Sequence, residues 1–101
     1  MNGSERQILI TAPRHAELVP VDGPSGPLPE DAVEGRTLAT VVSVGTELAY
    51  AYTAESGHPH RPGYAAVFEV EAIGAKVTDL APGDRAFCMG PHRSFQRVGR
   101  A

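Results

Sequence analysis

The sequence predicts a mainly β domain, a partly open β-barrel with one or two short helices. Eleven Gly and nine Pro divide its 101 residues into runs too short for long helices. Most of these runs are rich in β-branched or alternating apolar residues, and only one is Ala-rich. The length fits one domain over residues 1–101, because single domains commonly contain 50 to 250 residues, roughly.

The first half of the chain predicts three strands and one long loop. Gln7–Thr11 and Ala16–Val21 are short apolar runs, and Pro13–His15 between them has turn composition. Pro20–Gly35 is rich in Pro and Gly, which do not suit a central strand or a helix, and it is predicted as a long surface loop. Leu38–Val44 is dense in β-branched residues and is predicted as a buried strand.

The following segment changes character and predicts a short helix. Thr46–Tyr52 is Ala-rich and has an acidic residue in its first turn, which suits the positive end of the helix dipole. Thr46 is the expected N-cap, because its hydroxyl can accept a hydrogen bond from a free backbone amide. Gly57 lies beyond the predicted end of the helix, and residues 57–63 are predicted as a loop.

The second half of the chain predicts three more strands. Ala65–Ile73 alternates between apolar and polar positions, which places every second residue on one face of a strand. The residues expected on its apolar face are Ala66, Phe68, Val70 and Ala72. Pro82–Asp84 predicts a tight turn, and Arg85–Met89 and Phe95–Val98 predict the last strands.

Composition excludes several classes of partner and site. The formal net charge of -3 argues against nucleic acid, because no basic stripe is present to neutralise phosphates. Cys88 is the single cysteine, so it forms no internal disulfide, and it is expected to be a small apolar core residue. The first six residues lack the apolar segment of a signal peptide, and no apolar run reaches the ~20 residues that span a bilayer. We therefore expect no membrane association and a cytoplasmic location.

Three motifs carry a resemblance to a known family. They are Val44–Leu48 (Val-Gly-Thr-Glu-Leu), Pro62–Tyr64 (Pro-Gly-Tyr) and Pro82–Arg85 (Pro-Gly-Asp-Arg). In this order and at this spacing, the chain from Arg36 to Val98 resembles the GroES-like catalytic domain of medium-chain alcohol dehydrogenases/reductases. The resemblance implies a GroES-like barrel, and it implies that NAD(P) in a complete enzyme is bound by a second, nucleotide-binding domain absent from these residues.

The motifs also imply the zinc-independent branch of that family. Val44 stands where zinc-dependent members have a zinc-binding Cys, Tyr64 where they have a His and Ala65 where they have a Glu. Zinc binds nitrogen, sulfur or carboxylate oxygen, and an aliphatic side chain offers none of these. After Met89 the chain also lacks the cysteine-rich lobe that holds a structural zinc in such members.

The resemblance implies five candidate site residues. Thr46 stands at the position whose hydroxyl relays a proton to the substrate oxygen, and capping of the helix is the alternative role. Tyr64 is a candidate general acid for a carbonyl oxygen, and a half-buried structural aromatic is the alternative. Tyr50, Tyr52 and His92 are candidate substrate-binding residues. For the two tyrosines the alternative is packing between helix and barrel, and for His92 it is an exposed position in a loop.

The chain offers no expected metal site or nucleotide site. His58 and His60 form only an i, i+2 pair in a Pro-rich loop, and Cys88 and His92 do not complete a recognisable ligand pattern. The glycines of the 20–35 loop do not lie between a strand and a helix, as a dinucleotide-binding fingerprint requires. We expect this chain alone to bind neither metal nor NAD(P).

Three functional hypotheses follow. The first is the substrate-side domain of a zinc-independent NAD(P)-dependent oxidoreductase that acts on a small carbonyl compound. It is inactive without a cofactor-binding domain or chain, and its unpaired apolar face favours self-association into homo-oligomers. The second is a non-enzymatic module that binds a small ligand or a protein on the same barrel. The third, ranked last, is a GroES-type co-chaperonin subunit, for which the 20–35 loop lacks the expected hydrophobic tripeptide.

Overall fold

A computed structural model describes residues 5–99 of the chain. Residues 1–4, which carry most of the start that lacks a signal-peptide segment, and Arg100 and Ala101 lie outside the described residues. The described part is mainly β, as predicted. Its strands are β1 (Glu5–Ala12), β2 (His15–Val21), β3 (Ala32–Val41), β4 (Ala65–Ile73), β5 (Arg85–Cys88) and β6 (Phe95–Gly99). One α-helical turn, α1 (Val44–Glu47), continues directly as a π-helical segment (Leu48–Tyr52).

The strands form two antiparallel sheets. β1 and β2 make a hairpin whose turn is Pro13 and Arg14, and Arg14 adopts a positive φ of 60°. The other four strands form one sheet in the order β5-β4-β3-β6. β5 and β6 are the edges of this sheet, so the described strands do not close into a barrel.

β3 begins earlier and ends earlier than the sequence predicts. The predicted loop Pro20–Gly35 is wrong at both ends. Pro20 and Val21 belong to β2, and residues 32–35 pair with β6 while residues 33–35 pair with β4 as well. The glycine that indicated a loop has another role in this strand. A Cβ on Gly35 would lie 1.8 Å from the carbonyl oxygen of Glu69, so only Gly admits the close approach of the two strands.

The C-terminal end of β3 is not buried, which corrects the prediction for Leu38–Val44. The buried residues of β3 are Ala32, Val33 and Gly35, at the start of the strand. The later residues extend past the core, where Thr37 and Thr40 are hydrogen-bonded and only partly buried. The large apolar side chains left exposed there are Leu38, Val41, Val42 and Val44.

The core lies on one face of the four-stranded sheet. β4 was predicted correctly over Ala65–Ile73, and its alternation places Phe68 and Val70 among the most deeply buried side chains. The buried cluster is Val33, Ala66, Phe68, Val70, Val77 and Cys88. Cys88 is therefore a core residue, as expected. Gln96, also fully buried, donates to the Thr37 hydroxyl and to the carbonyl of Pro91 at 3.3 Å and 3.0 Å.

The hairpin is attached to the four-stranded sheet through loops. The amide of Ile8 donates to the carbonyl of His92 at 2.9 Å, and the amide of Ser94 donates to the carbonyl of Arg6 at 2.8 Å. Ile10 and His60 exchange two backbone hydrogen bonds of 2.9 Å. Within residues 5–99, no helix has the length and apolar character needed to cross a membrane.

Candidate functional site

One end of the four-stranded sheet gathers three of the five candidate residues, Thr46, Tyr64 and His92. Val41 pairs with Ala65, and Ala66 pairs with Cys88, so the end of β3, the start of β4 and the end of β5 lie side by side. The segments that leave these strand ends are 42–47, 62–64 and 89–92. We refer to these three segments together as the site edge.

His92 is the centre of a hydrogen-bonded chain at the site edge. Its side chain is only 7% exposed. Nδ1 lies 2.7 Å from the Thr40 hydroxyl, and Nε2 lies 2.7 Å from Oε1 of Glu47. A carboxylate accepts but cannot donate, so we assign the ring proton to Nε2. Nδ1 then accepts from the Thr40 hydroxyl, which gives a hydroxyl–imidazole–carboxylate chain.

Glu47 connects this chain to the start of the helix. Its side chain is 15% exposed, and its second oxygen, Oε2, accepts the amide of Ser43 at 2.7 Å. The amide of Glu47 in turn donates to the carbonyl of Ser43 at 2.8 Å. Ser43 is the N-cap residue, so the carboxylate caps the helix much as the Glu of a capping box does. One carboxylate therefore fixes both the helix and the orientation of His92.

The loop that carries His92 is fastened to the loop before β4. The amide of His92 donates to the carbonyl of Pro62 at 3.1 Å, and the amide of Gly90 donates to the carbonyl of Tyr64 at 3.3 Å. Gly63 between them has a φ of 145°, and a Cβ there would lie 2.2 Å from the Cα of Pro91. Only glycine suits this backbone conformation and this approach of the two loops.

A groove of about 310 Å³ lies beside the hydrogen-bonded chain. Thr40 and His92 line it together with apolar residues of β1, β2 and β3, among them Ile8, Leu18 and Leu38. Its volume is at the lower end of the range of small-molecule sites, which is about 300 to 1,000 Å³. The hydroxyl–imidazole–carboxylate chain can therefore accept or supply a proton at the wall of this groove. The proton would pass through the Thr40 hydroxyl, which is hydrogen-bonded to His92.

The structure places Thr46, Tyr64 and His92 at the site edge and corrects three expectations about local roles. Thr46 is exposed inside α1 and is not the cap, because the helix begins earlier, after Ser43. Tyr64 is 49% exposed at the start of β4. His92 is buried, where an exposed loop position was the alternative. Tyr50 is 76% exposed, which excludes packing against the sheet.

The helix ends at Tyr52, as the sequence predicts. Tyr52 is partly buried, and its carbonyl accepts the amide of Arg14 in the hairpin turn at 2.5 Å. Thr53 is the C-cap, and both its amide and its hydroxyl donate to the carbonyl of Leu48. Gly57 therefore lies beyond the helix without ending it. Neither tyrosine of the π-helical segment lines the groove beside Thr40.

Sequence reasoning missed Thr40 and Glu47 as partners of His92. Glu47 could have been found from its motif, because the acid position follows the hydroxyl position directly. Thr40 gave no such signal, since a threonine within a β-branched run is ordinary strand composition. Both partners lie far from His92 along the chain, at separations of 52 and 45 residues.

The remaining histidines and the cysteine do not form a ligand cluster in the described chain. The rings of His58 and His60 lie 4.8 Å apart, edge to face, and Nε2 of His60 contacts the carbonyl of Ser56 at 2.8 Å. Among residues 5–99, no three His, Cys, Asp or Glu side chains converge as metal ligands would. Burial raises the pKa of the Cys88 thiol, and the positive charge of Arg93 opposes this in part.

A scan against protein-family models matches no family, and a search of curated proteins finds no match. The family resemblance therefore depends on the three sequence motifs alone.

Proposed function

We propose that the chain is the substrate-side domain of a zinc-independent NAD(P)-dependent oxidoreductase that acts on a small carbonyl compound, built on a GroES-like barrel. The observation that carries the proposal is the convergence of separate motif segments at one edge. Glu47 of the first motif contacts His92, which follows the strand after the third motif. Tyr64 and Pro62 of the second motif accept the amides of Gly90 and His92.

The site edge supplies acid–base groups where zinc-dependent members hold a metal. Reduction of a carbonyl adds a proton to the oxygen, so the site requires a proton donor. Thr46 and Tyr64 are the exposed hydroxyls that we assign to the substrate oxygen. His92, held between Thr40 and Glu47, is the buried imidazole at the site edge that we assign to proton exchange with these groups.

Hydride would come from the nicotinamide ring of NAD(P), which we assign to another domain or chain. In residues 5–99 the helix follows β3 without a glycine-rich phosphate loop, so the described residues do not fit a dinucleotide. Instead, the site edge and its surroundings expose several large apolar side chains, as a surface that packs on another domain would. These are Val41, Val42, Val44, Leu48, Tyr50, Tyr64 and Met89.

Two alternatives are less well supported. A non-enzymatic binding module could use the groove beside Thr40, but such a module has no need of the Thr40–His92–Glu47 chain. A co-chaperonin needs a mobile docking loop. The loop between β2 and β3 is instead tied down by Arg97, which donates to the carbonyls of Ser25 and Gly26 at 3.0 Å and 3.1 Å.

The proposal is tested by carbonyl binding to the isolated chain. ¹⁵N-labelled protein is titrated with small aldehydes, ketones and quinones, and with the matching hydrocarbons as controls. We expect amide shifts at the site edge that depend on the carbonyl group and weaken in Thr46→Val and Tyr64→Phe. Thr78→Val, an exposed threonine outside the site edge, is the matched control and should bind as the parent chain does.

Two results would contradict the proposal. If carbonyl compounds and hydrocarbons give the same shifts, the site edge does not recognise a carbonyl oxygen. If the isolated chain oxidises NADPH with a carbonyl compound, the assignment of the cofactor to another domain is wrong.

A further inference from the structure

A second cavity lies on the inner face of the four-stranded sheet, apart from the groove beside Thr40, and reaches the site edge at Met89. It has a volume of about 610 Å³ and lies between β5 and the end of β6. Its floor and walls are mostly apolar and include Val33, Phe68, Leu80, Ala86, Cys88 and Val98. These residues belong to the core or pack on it, so the cavity is an uncovered part of the core.

One wall of the cavity is a sheet edge with unpaired backbone groups. β5 pairs with β4 alone. The backbone groups of Asp84 and Gly90 face β4, since Val70 donates to the Asp84 carbonyl and Gly90 donates to the Tyr64 carbonyl. Facing groups alternate along an antiparallel strand, so Arg85, Phe87 and Met89 direct their amides and carbonyls to the outer edge. In residues 5–99, no strand lies beyond that edge.

We propose that this cavity and the β5 edge bind an extended segment of a partner polypeptide, which adds to the sheet as a further strand. Its backbone would pair with the outer edge of β5, and alternate apolar side chains would fill the cavity over Phe68 and Val98. Because strands project alternate residues to opposite faces, the partner segment has apolar residues at every second position.

The open edge and the cavity together favour an extended polypeptide segment as the occupant. Charge does not select it, because exposed Arg85 at the rim lies opposite Glu69 of β4 and beside exposed Asp84. A small apolar ligand would fill the volume but would leave the outward amides of β5 without partners. An extended peptide would fill the cavity with its side chains and hydrogen-bond the outward amides of β5 with its backbone.

The test uses the full chain and a synthetic peptide as the probe. The peptide is Glu-Val-Thr-Val-Thr-Val-Thr, acetylated and amidated, and its control carries N-methyl groups on alternate amides, which removes one edge of donors. Cys88 lines the cavity and is the single thiol of the chain, so its alkylation rate reports occupancy. We expect saturating peptide to slow alkylation at least tenfold and to shift the amide resonances of Arg85, Phe87 and Met89. The control peptide should do neither.

A pair of variants separates backbone pairing from side-chain contact. Phe87 is exposed, and its amide faces outward, so Phe87→Pro removes one donor while leaving the pairing with β4 intact. We expect Phe87→Pro to abolish protection of Cys88 and Phe87→Ala, which keeps the amide, to retain it. Circular dichroism checks that both variants fold as the parent chain does.

Each other outcome overturns the proposal. Protection that persists in Phe87→Pro excludes pairing with β5. If the control peptide protects Cys88 equally well, the cavity binds apolar side chains without backbone pairing to β5. Protection that rises with protein concentration in the absence of peptide identifies a second copy as the occupant. Unchanged alkylation at millimolar peptide excludes an extended segment of this kind.

Discussion

Glu47→Ala should destabilise the fold far more than the loss of a surface carboxylate does. The substitution removes two contacts at once, since Oε1 accepts from His92 and Oε2 accepts from the amide of Ser43, each at 2.7 Å. It leaves the Nε2–H of a buried imidazole without an acceptor, which costs about 1–3 kcal/mol. Loss of the cap adds about 1 kcal/mol. We therefore expect a decrease of about 2–4 kcal/mol in the free energy of unfolding.

Glu17→Ala is the matched control, because Glu17 also pairs with a histidine. His15 and Glu17 lie 3.3 Å apart, but both side chains are exposed, so this pair contributes at most about 1 kcal/mol. Urea unfolding at neutral pH measures both variants. For a domain of this size, the loss in Glu47→Ala corresponds to a decrease in Tm of roughly 10–25 °C.

A double-mutant cycle with His92→Ala isolates the contact itself. Residues in direct contact couple by about 0.5–3 kcal/mol, whereas independent residues do not couple measurably. A coupling energy near zero between Glu47 and His92 would refute the role assigned to their hydrogen bond. So would a loss in Glu47→Ala no larger than that in Glu17→Ala.

Three further results are expected. Gly63→Ala should destabilise the chain by at least about 2 kcal/mol in urea unfolding, because its Cβ would clash with Pro91 and its backbone has a positive φ. Gly45→Ala is the control, and it should be neutral or slightly stabilising because nothing lies within 4 Å of the added Cβ. Burial raises the pKa of the Cys88 thiol above its ordinary value of 9.0, so at alkaline pH the folded state holds a proton that the unfolded state loses. The free energy of unfolding should therefore fall as the pH rises above 9.0, and it should fall less in Cys88→Ala. Val42→Asp, at an exposed apolar position of the site edge, should reduce any self-association measured by sedimentation without loss of stability.

Local sequence patterns predicted those elements whose neighbours are also local. β4 was predicted correctly because the alternation from Phe68 to Ala72 indicates which face is buried. The hairpin strands were predicted to within about two residues, because apolar runs on both sides of a Pro-containing turn define them. The turn before β5 followed from Pro82–Asp84, where Gly83 has a φ of 97°.

Tertiary contacts decided the elements that the sequence did not predict. The start of β3 was mistaken for loop because Gly35 reads as a breaker, whereas in the sheet it permits close approach to β4. The helix begins before Thr46 because the Glu47 carboxylate accepts the backbone amide of Ser43, the N-cap residue. A side chain inside the helix therefore determines where the first turn begins. The burial of His92 depends on partners that are distant in sequence, and no local pattern contains them.

The Thr40–His92–Glu47 chain is better explained by a requirement of the site than by stability alone. A well-packed apolar set of similar volume commonly matches or exceeds a buried His–Glu pair in stability. Other hydrogen bonds already fix the 89–92 segment of the site edge. Gln96 donates to the carbonyl of Pro91, and the carbonyls of Pro62 and Tyr64 accept backbone amides of the segment. Backbone contacts already fix the loop, so the position of this loop does not require the polar chain. The proposed function gives its proton a use, because reduction of a carbonyl group without zinc requires a proton donor near the oxygen.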